Sequence, residues 1–232
     1  MKLELLKLLN AARRERRACV LVTEVADGAQ RFVTAEGAAG DPLEHEIEAA
    51  LRAGKSGTVE REGASYFLTV QVPPVRLVMI GAVHISQALG PIARIAGLDP
   101  VVIDPRTAFA SVERFPDTPV LAQWPDEAFE ARPLDRYTAI CLLTHDPKID
   151  DRALTRALRA ECFYIGALGS RKTHAKRIER MKAEGFDDSA LARIHAPIGL
   201  DIGAVSPAEI AVSIAGEIVA ALRKKPLRAE PA

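Results

Sequence analysis

The 232-residue chain has no net charge, few cysteines and no long apolar run, and each absence removes a class of function. Lys plus Arg and Asp plus Glu both number 31, so no global basic field exists to hold nucleic acid or an anionic membrane surface. The three cysteines, Cys19, Cys141 and Cys162, lack CxxC spacing, and the last two sit in apolar runs, AICLL and ECFYIGA, of the kind that form buried strands. Structural thiols are expected, rather than ligands or a disulfide. No apolar stretch approaches the roughly 18–20 residues of a membrane span. The opening MKLELLKLLNAARRERRACVLV alternates leucines with charges, where a secretory signal needs about 7–15 uninterrupted apolar residues. A cytoplasmic protein is the expectation. Metal-ligand spacing, a nucleophile elbow and a Walker loop are all missing, which leaves the common hydrolase and phosphotransferase readings without support.

With 48% apolar residues the chain can bury a full α/β domain and a smaller companion. Leu3, Leu6, Leu9 and Ala12 share one helical face, which predicts an amphipathic helix over residues 2–17 with a basic end from Arg13 to Arg17. CVLVTEV and QRFVTAE read as strands around an Asp27-Gly28 turn, followed by a helix from Pro42 to Arg52 closed by Gly54. SGTVEREGASYFLTVQV then reads as a second strand pair turning near Gly63. Pro73-Pro74 cannot continue a ladder, so the boundary falls there. Residues 1–72 are expected to form a small α+β domain and 75–224 a second domain, with a flexible tail at 225–232. In the second domain VRLVMI, DPVVID, TPVLA, TAICLLT and ECFYIGA are nearly all apolar and alternate with helical segments. That pattern predicts a parallel sheet covered on both faces, an α/β, Rossmann-like, doubly wound fold.

Such folds bind ligands beyond the carboxyl ends of their strands, and five strand ends carry candidates. In LVMIGAVHISQALG the three positions of a G-x-G-x-x-G fingerprint are Gly81, Val83 and Ser86. A β-branched side chain at the second would hold a pyrophosphate away from the helix, while the helix N-terminus stays available to some anion and His84 stands in its first turn. In VVIDPRTAF, Asp104 stands where an acidic residue would hold a ribose hydroxyl, with Arg106 to pair a phosphate or Asp104 itself. In AICLLTHDPKIDD, Thr144, His145 and Asp146 leave a buried strand for a Pro turn; Asp146 could equally cap that turn. YIGALGSRKTHAKRIERM is the strongest: Gly166 and Gly169 free the backbone, Ser170 caps a helix, and Arg171, Lys172 and Arg177 crowd its start. Cations there oppose the macrodipole unless an anion sits with them, although Arg177 could belong to an exposed basic face. In HAPIGLDIGAVSPAEIAVSIAGEI, Gly199 and Gly203 bracket Asp201, and Ser206, Pro207 and Glu209 read as a capping box.

Taken in order, IGAVHISQAL, VIDPRTAFASVERFP, LTHDPKIDD, YIGALGSRKTHAKR and APIGLDIGAVSPAEIAVSIAGEI resemble the XdhC/CoxI family of accessory factors for xanthine dehydrogenase and related molybdenum hydroxylases. The resemblance implies a cytoplasmic factor that binds the molybdenum cofactor, a molybdopterin with or without a nucleotide, and inserts it into an apo-enzyme such as xanthine dehydrogenase. It also implies contact with a cysteine desulfurase, and a homodimer is compatible with it. On this reading Gly81, His84, Asp104, Arg106, His145, Asp146, Gly166, Gly169, Ser170, Arg171 and Asp201 are the cofactor-binding candidates, with none catalytic. Two positions depart from the family pattern: Val83 replaces a glycine of the Gly-x-Gly-His turn, and GAAGDPLEHE lacks the cysteine of many relatives. Two other readings stay open. One is an NAD(P)-dependent oxidoreductase with His145 as acid/base, the other a degenerate Rossmann module that serves only as a protein-interaction platform.

Overall fold

Strands that are apolar on both faces need a helical layer on each side, and the second part of this chain meets that need. The computed structural model describes residues 2–224. They divide between Pro73 and Pro74 into two compact units. The expected tail, 225–232, lies outside the described residues.

The first unit holds α1 (Leu3–Arg14), β1 (Cys19–Glu24), β2 (Gln30–Thr34), α2 (Glu44–Ala53), β3 (Gly57–Arg61) and β4 (Ala64–Gln71). The strands form one antiparallel sheet in the order β2-β1-β4-β3. The central β1 buries Cys19 to Val22, and α2 lays Ile47 and Leu51 on the sheet. Helix α1 ends three residues before the expected Arg17, because Arg16 turns left-handed at φ 52°. Glu62 and Gly63, at φ 52° and 79°, make the two-residue turn between β3 and β4, the left-handed pair that a tight hairpin requires.

The second unit holds β5 (Arg76–Ile80), α3 (His84–Ile95), β6 (Asp99–Ile103), β7 (Val120–Leu121), α4 (Pro125–Ala131), β8 (Thr138–Leu142), α5 (Pro147–Arg159), β9 (Tyr164–Ala167), α6 (Arg171–Ala183), α7 (Asp188–Leu191), β10 (Ile194–His195) and α8 (Pro207–Lys224). Its parallel sheet runs β7-β6-β5-β8-β9-β10. The chain winds outward from β5 to one edge and restarts at β8, so the strand order reverses between β5 and β8, where such folds open a crevice. Strand parity divides the core. Leu77, Met79, Ala139, Cys141 and Tyr164 meet Leu89 and Ala93 of α3 and Ile214 and Ile218 of α8. Val78, Ile80, Ile140, Leu142 and Ile165 meet Phe129 of α4, Leu154 and Leu158 of α5 and Met181 of α6. The fold class is therefore the one expected: a small α+β unit, then a doubly wound Rossmann-type sheet.

The three cysteines are buried and free. Burial pushes all three thiols up, Cys162 to about 12. Two elements differ from the expectation. TPVLA contributes a strand of two residues, and the loop expected after His195 is preceded by the short strand β10. Among the described residues no helix is long and apolar enough to cross a membrane.

Candidate functional site

The turn after β5 is held by three devices. Gly81 adopts φ +115°, and a Cβ there would lie 2.9 Å from Thr144 Cγ2 and 3.2 Å from the Thr144 amide nitrogen. Ser86, in place of the third fingerprint glycine, is buried and donates a 2.5 Å hydrogen bond to the Gly81 carbonyl. Arg114, which the sequence does not single out, donates to the Ala82 carbonyl at 2.9 Å. Val83 stands as the N-cap of α3 with no side-chain cap, and His84 is exposed beside it.

Asp104 is engaged within the protein. Its carboxylate is fully buried, and both oxygens are taken: Oδ2 accepts from the Ala82 amide at 2.8 Å and from Arg106 Nη2 at 2.7 Å, and Oδ1 accepts from the Arg106 amide and Nε, both at 2.9 Å. Burial acts to raise its pKa, but these hydrogen bonds outweigh it and hold the carboxyl below the usual range. The residue locks the β6 loop to the β5 turn and offers no free oxygen to a ribose. Arg106 lies over the Phe109 ring at 4.8 Å. Its pKa is raised, first by the Asp104 hydrogen bond and further by the charges of Asp146 and Asp150, so the loops after β6 and β8 share one electrostatic neighbourhood.

After β8, Thr144 Oγ1 accepts from the Asp146 amide at 3.0 Å and donates to Asp150 Oδ1 at 2.7 Å. His145 is exposed and left-handed at φ 62°, a conformation that few non-glycine residues hold. Asp146 caps α5 by accepting from the Lys148 amide at 2.9 Å. Asp150 is buried, and that burial pushes its carboxyl up to about 6 against the opposing pull of Thr144 and Arg177.

The start of α6 shows the expected cap, Ser170 Oγ accepting from the Thr173 amide at 3.2 Å. Gly169 at φ +131° leaves room for Thr173, whose Cγ2 would stand 3.0 Å from a Cβ. The first turn has no acidic residue, while Arg171 and Lys172 are exposed there. Arg177 is not on an exposed basic face: it is 2% exposed, donates to the Leu168 carbonyl at 3.0 Å, and leaves Nε and Nη1 buried without an acceptor. Arg180 pairs bidentately with Asp151 at 2.5 and 3.0 Å. Between α5 and α6 lies a cleft of about 210 Å³, with His145, Asp150, Lys172, Lys176 and Arg177 on its walls.

Gly166 and Asp201 do not join this group. Gly166 is buried in β9, where a Cβ would come within 2.6 Å of the Tyr164 hydroxyl and of Ile198 side-chain carbons, so its smallness serves packing. Asp201 is exposed on the loop after β10. That loop is fastened by Glu217, which accepts from Tyr164 at 2.5 Å and from the Gly199 amide at 2.7 Å and pairs with His195 Nδ1 at 3.0 Å. Among the described residues no three His, Cys, Asp or Glu side chains gather as metal ligands.

Three relatives match part of this chain. The uncharacterized protein YqeB of Escherichia coli is 31% identical over 160 residues, covering 67% of this chain and 29% of its own length. The molybdenum cofactor insertion chaperone PaoD of Escherichia coli is 30% identical over 146 residues, 63% of this chain and 40% of its own length. A probable xanthine dehydrogenase subunit of Bacillus subtilis is 29% identical over 148 residues, 63% of this chain and 43% of its own length. The chain thus spans less than half the length of each. A crystal structure of a xanthine dehydrogenase from Bacillus halodurans shares the fold, with a TM-score of 0.69 at 22% identity over 95% of this chain and 67% of that one. The XdhC Rossmann domain model matches residues 77–218, more than half of the chain, and the protein belongs to that family.

Proposed function

We propose that this chain binds the molybdenum cofactor at the carboxyl edge of its parallel sheet, protects it, and delivers it to an apo molybdenum hydroxylase of the xanthine dehydrogenase kind. The observation that carries the reading is the start of α6. There Arg171 and Lys172 stand at a helix N-terminus with no acid in the first turn, beside the loops of His145 and Asp146, in a domain of the XdhC family. Cations in that position are stabilised by an anion, and a pterin phosphate is one. The names of PaoD and of the Bacillus subtilis relative support the same class of cofactor and client.

The residues fit such a group at its anionic end. Arg171, Lys172 and the free amides of the first turn of α6 would draw the anionic end to this side of the sheet. His84, Arg106 and His145, at neighbouring strand ends, would face the rest of the molecule. When bound, the group supplies molybdenum redox chemistry to the client enzyme, while this chain binds, orients and excludes solvent. A nicotinamide dinucleotide fits less well, because Val83 stands where the fingerprint has its second glycine and Asp104 has no free oxygen for a ribose. Mass spectrometry of small molecules released from natively purified protein tests the proposal. A pterin, seen also by its fluorescence after oxidation, is the expected result; a protein that never retains one when cofactor is abundant would sink it.

A further inference from the structure

We infer that the cleft between α5 and α6 is a receptor for a phosphate dianion, built around the buried guanidinium of Arg177. Buried N–H groups in folded proteins are nearly always bonded, so charged donors left free on a cleft wall mark a place that receives an acceptor. Arg177 has two, Nε and Nη1, and its Nη2 is fixed by the Leu168 carbonyl at 3.0 Å. Nε and Nη1 lie on different edges of the guanidinium, so a phosphate engages one of them together with the Nη2 hydrogen that Leu168 leaves over, a preset fork for two oxygens.

The charges around it select the ligand. Arg180 is committed to Asp151 by a bidentate pair. Lys172, Lys176 and Arg177 remain as lining cations, set against the single carboxylate of Asp150, a surplus matching the charge of a phosphate dianion. Lys172 and Lys176 stand one turn apart on α6, where like charges repel and a bridging anion relieves them. Asp150 spends its hydrogen bond on Thr144 and makes none to Arg177 among the described residues. It tempers the cleft without filling it.

This inference rests on side chains deeper along α6 than the helix start used above, and it names the phosphate subsite that the cofactor reading needs. The test is calorimetric titration of the full-length protein at pH 8 with phenyl phosphate, inorganic phosphate and sulfate at matched ionic strength, on wild type and three variants. Wild type should bind a phosphate saturably and more tightly than sulfate. Phenyl phosphate binding better than inorganic phosphate identifies an ester of a larger molecule as the ligand; the reverse order identifies the free ion. Lys176→Gln, an exposed change, should weaken binding by up to about 5-fold. Arg177→Met should abolish it. Asp150→Asn should tighten it, since a dianionic ester at pH 8 has no proton to give and the carboxylate only repels; a gain of affinity cannot come from misfolding. Absence of saturable phosphate binding by wild type overturns the inference, as does binding indifferent to both Arg177→Met and Asp150→Asn. Phosphate binding without any retained pterin would leave the cleft standing and remove the cofactor reading; retained pterin that survives Arg177→Met would do the opposite.

Discussion

Thr144 donates a 2.7 Å hydrogen bond to Asp150 Oδ1, and the methyl of the same side chain fills the space that Gly81 leaves open. One residue therefore joins the β5 turn, at the reversal of strand order, to the wall of the α5–α6 cleft. Changes at either end should be felt through it.

Gly81→Ala is the sharpest test of that junction. The new Cβ would stand 2.9 Å from Thr144 Cγ2, at a φ of +115° that alanine rarely adopts. Strain of this kind costs about 1–3 kcal/mol. Urea unfolding should show a loss of that order, and Thr144→Ser, which removes the clashing methyl and keeps the hydroxyl, should recover part of it.

Asp104→Ala should destabilise the second unit by roughly 2–3 kcal/mol, because it removes an acceptor for the Ala82 and Arg106 amides and for the Arg106 side chain. Asp104 is held below its unfolded value of 3.8. Its contribution is therefore present above that pH and is lost as the pH falls through the folded value. The variant should show less acid-induced destabilisation than wild type when melting temperatures are compared below pH 4.

Asp150 has the opposite sign. Its folded pKa of about 6 lies above the ordinary 3.8, so the folded state binds the proton more tightly. Stability from this group is complete at low pH and declines as the pH rises through 6, because burial, and to a lesser degree the charge of Asp151, disfavours the ionised carboxylate. Asp150→Asn imitates the protonated form and keeps an acceptor for Thr144. It should be more stable than wild type at pH 8, by up to roughly 3 kcal/mol, and no different at pH 4. Equal stability at both pH values would mean the carboxyl is not perturbed.

Val83→Gly separates the cofactor reading from the nicotinamide one. Restoring the fingerprint glycine should not create saturable NADH or NADPH binding, because Asp104 stays engaged with Arg106 and Ala82. Fluorescence titration of both nucleotides checks this; clear binding by the variant would revive the oxidoreductase.

Periodicity carried most of the fold. Apolar runs that show no alternation predict a covered parallel sheet, and the observed strands β5, β6, β8 and β9 fall within them. Capping signals were equally legible: Ser170, Asp146 and the Ser206–Glu209 pair all make the local bonds their types and spacing imply. These are interactions over a few residues, which a linear string displays. Arg177 shows where that legibility stops. In sequence it is one more cation in a basic helix, and nothing local tells that it turns inward to Leu168 with two donors left over.

Glu217 makes the same point at greater range. It reads as a helix residue between small apolar neighbours, yet it ties Tyr164, His195 and Gly199 together. Local chemistry, which depends on near neighbours and side-chain period, determined the elements, the caps and the loops worth watching. Which of those loops turn their polar groups inward and which leave them free depends on partners far along the chain, such as Asp104 with Ala82, 22 residues away, or Tyr164 with Glu217, 53 residues away. Burial and long-range hydrogen bonding come into being only when the sheet is assembled, and so tertiary structure alone tied Asp104 to Ala82, packed Gly166 against Tyr164 and Ile198, and brought Asp150 and Arg177 to the cleft.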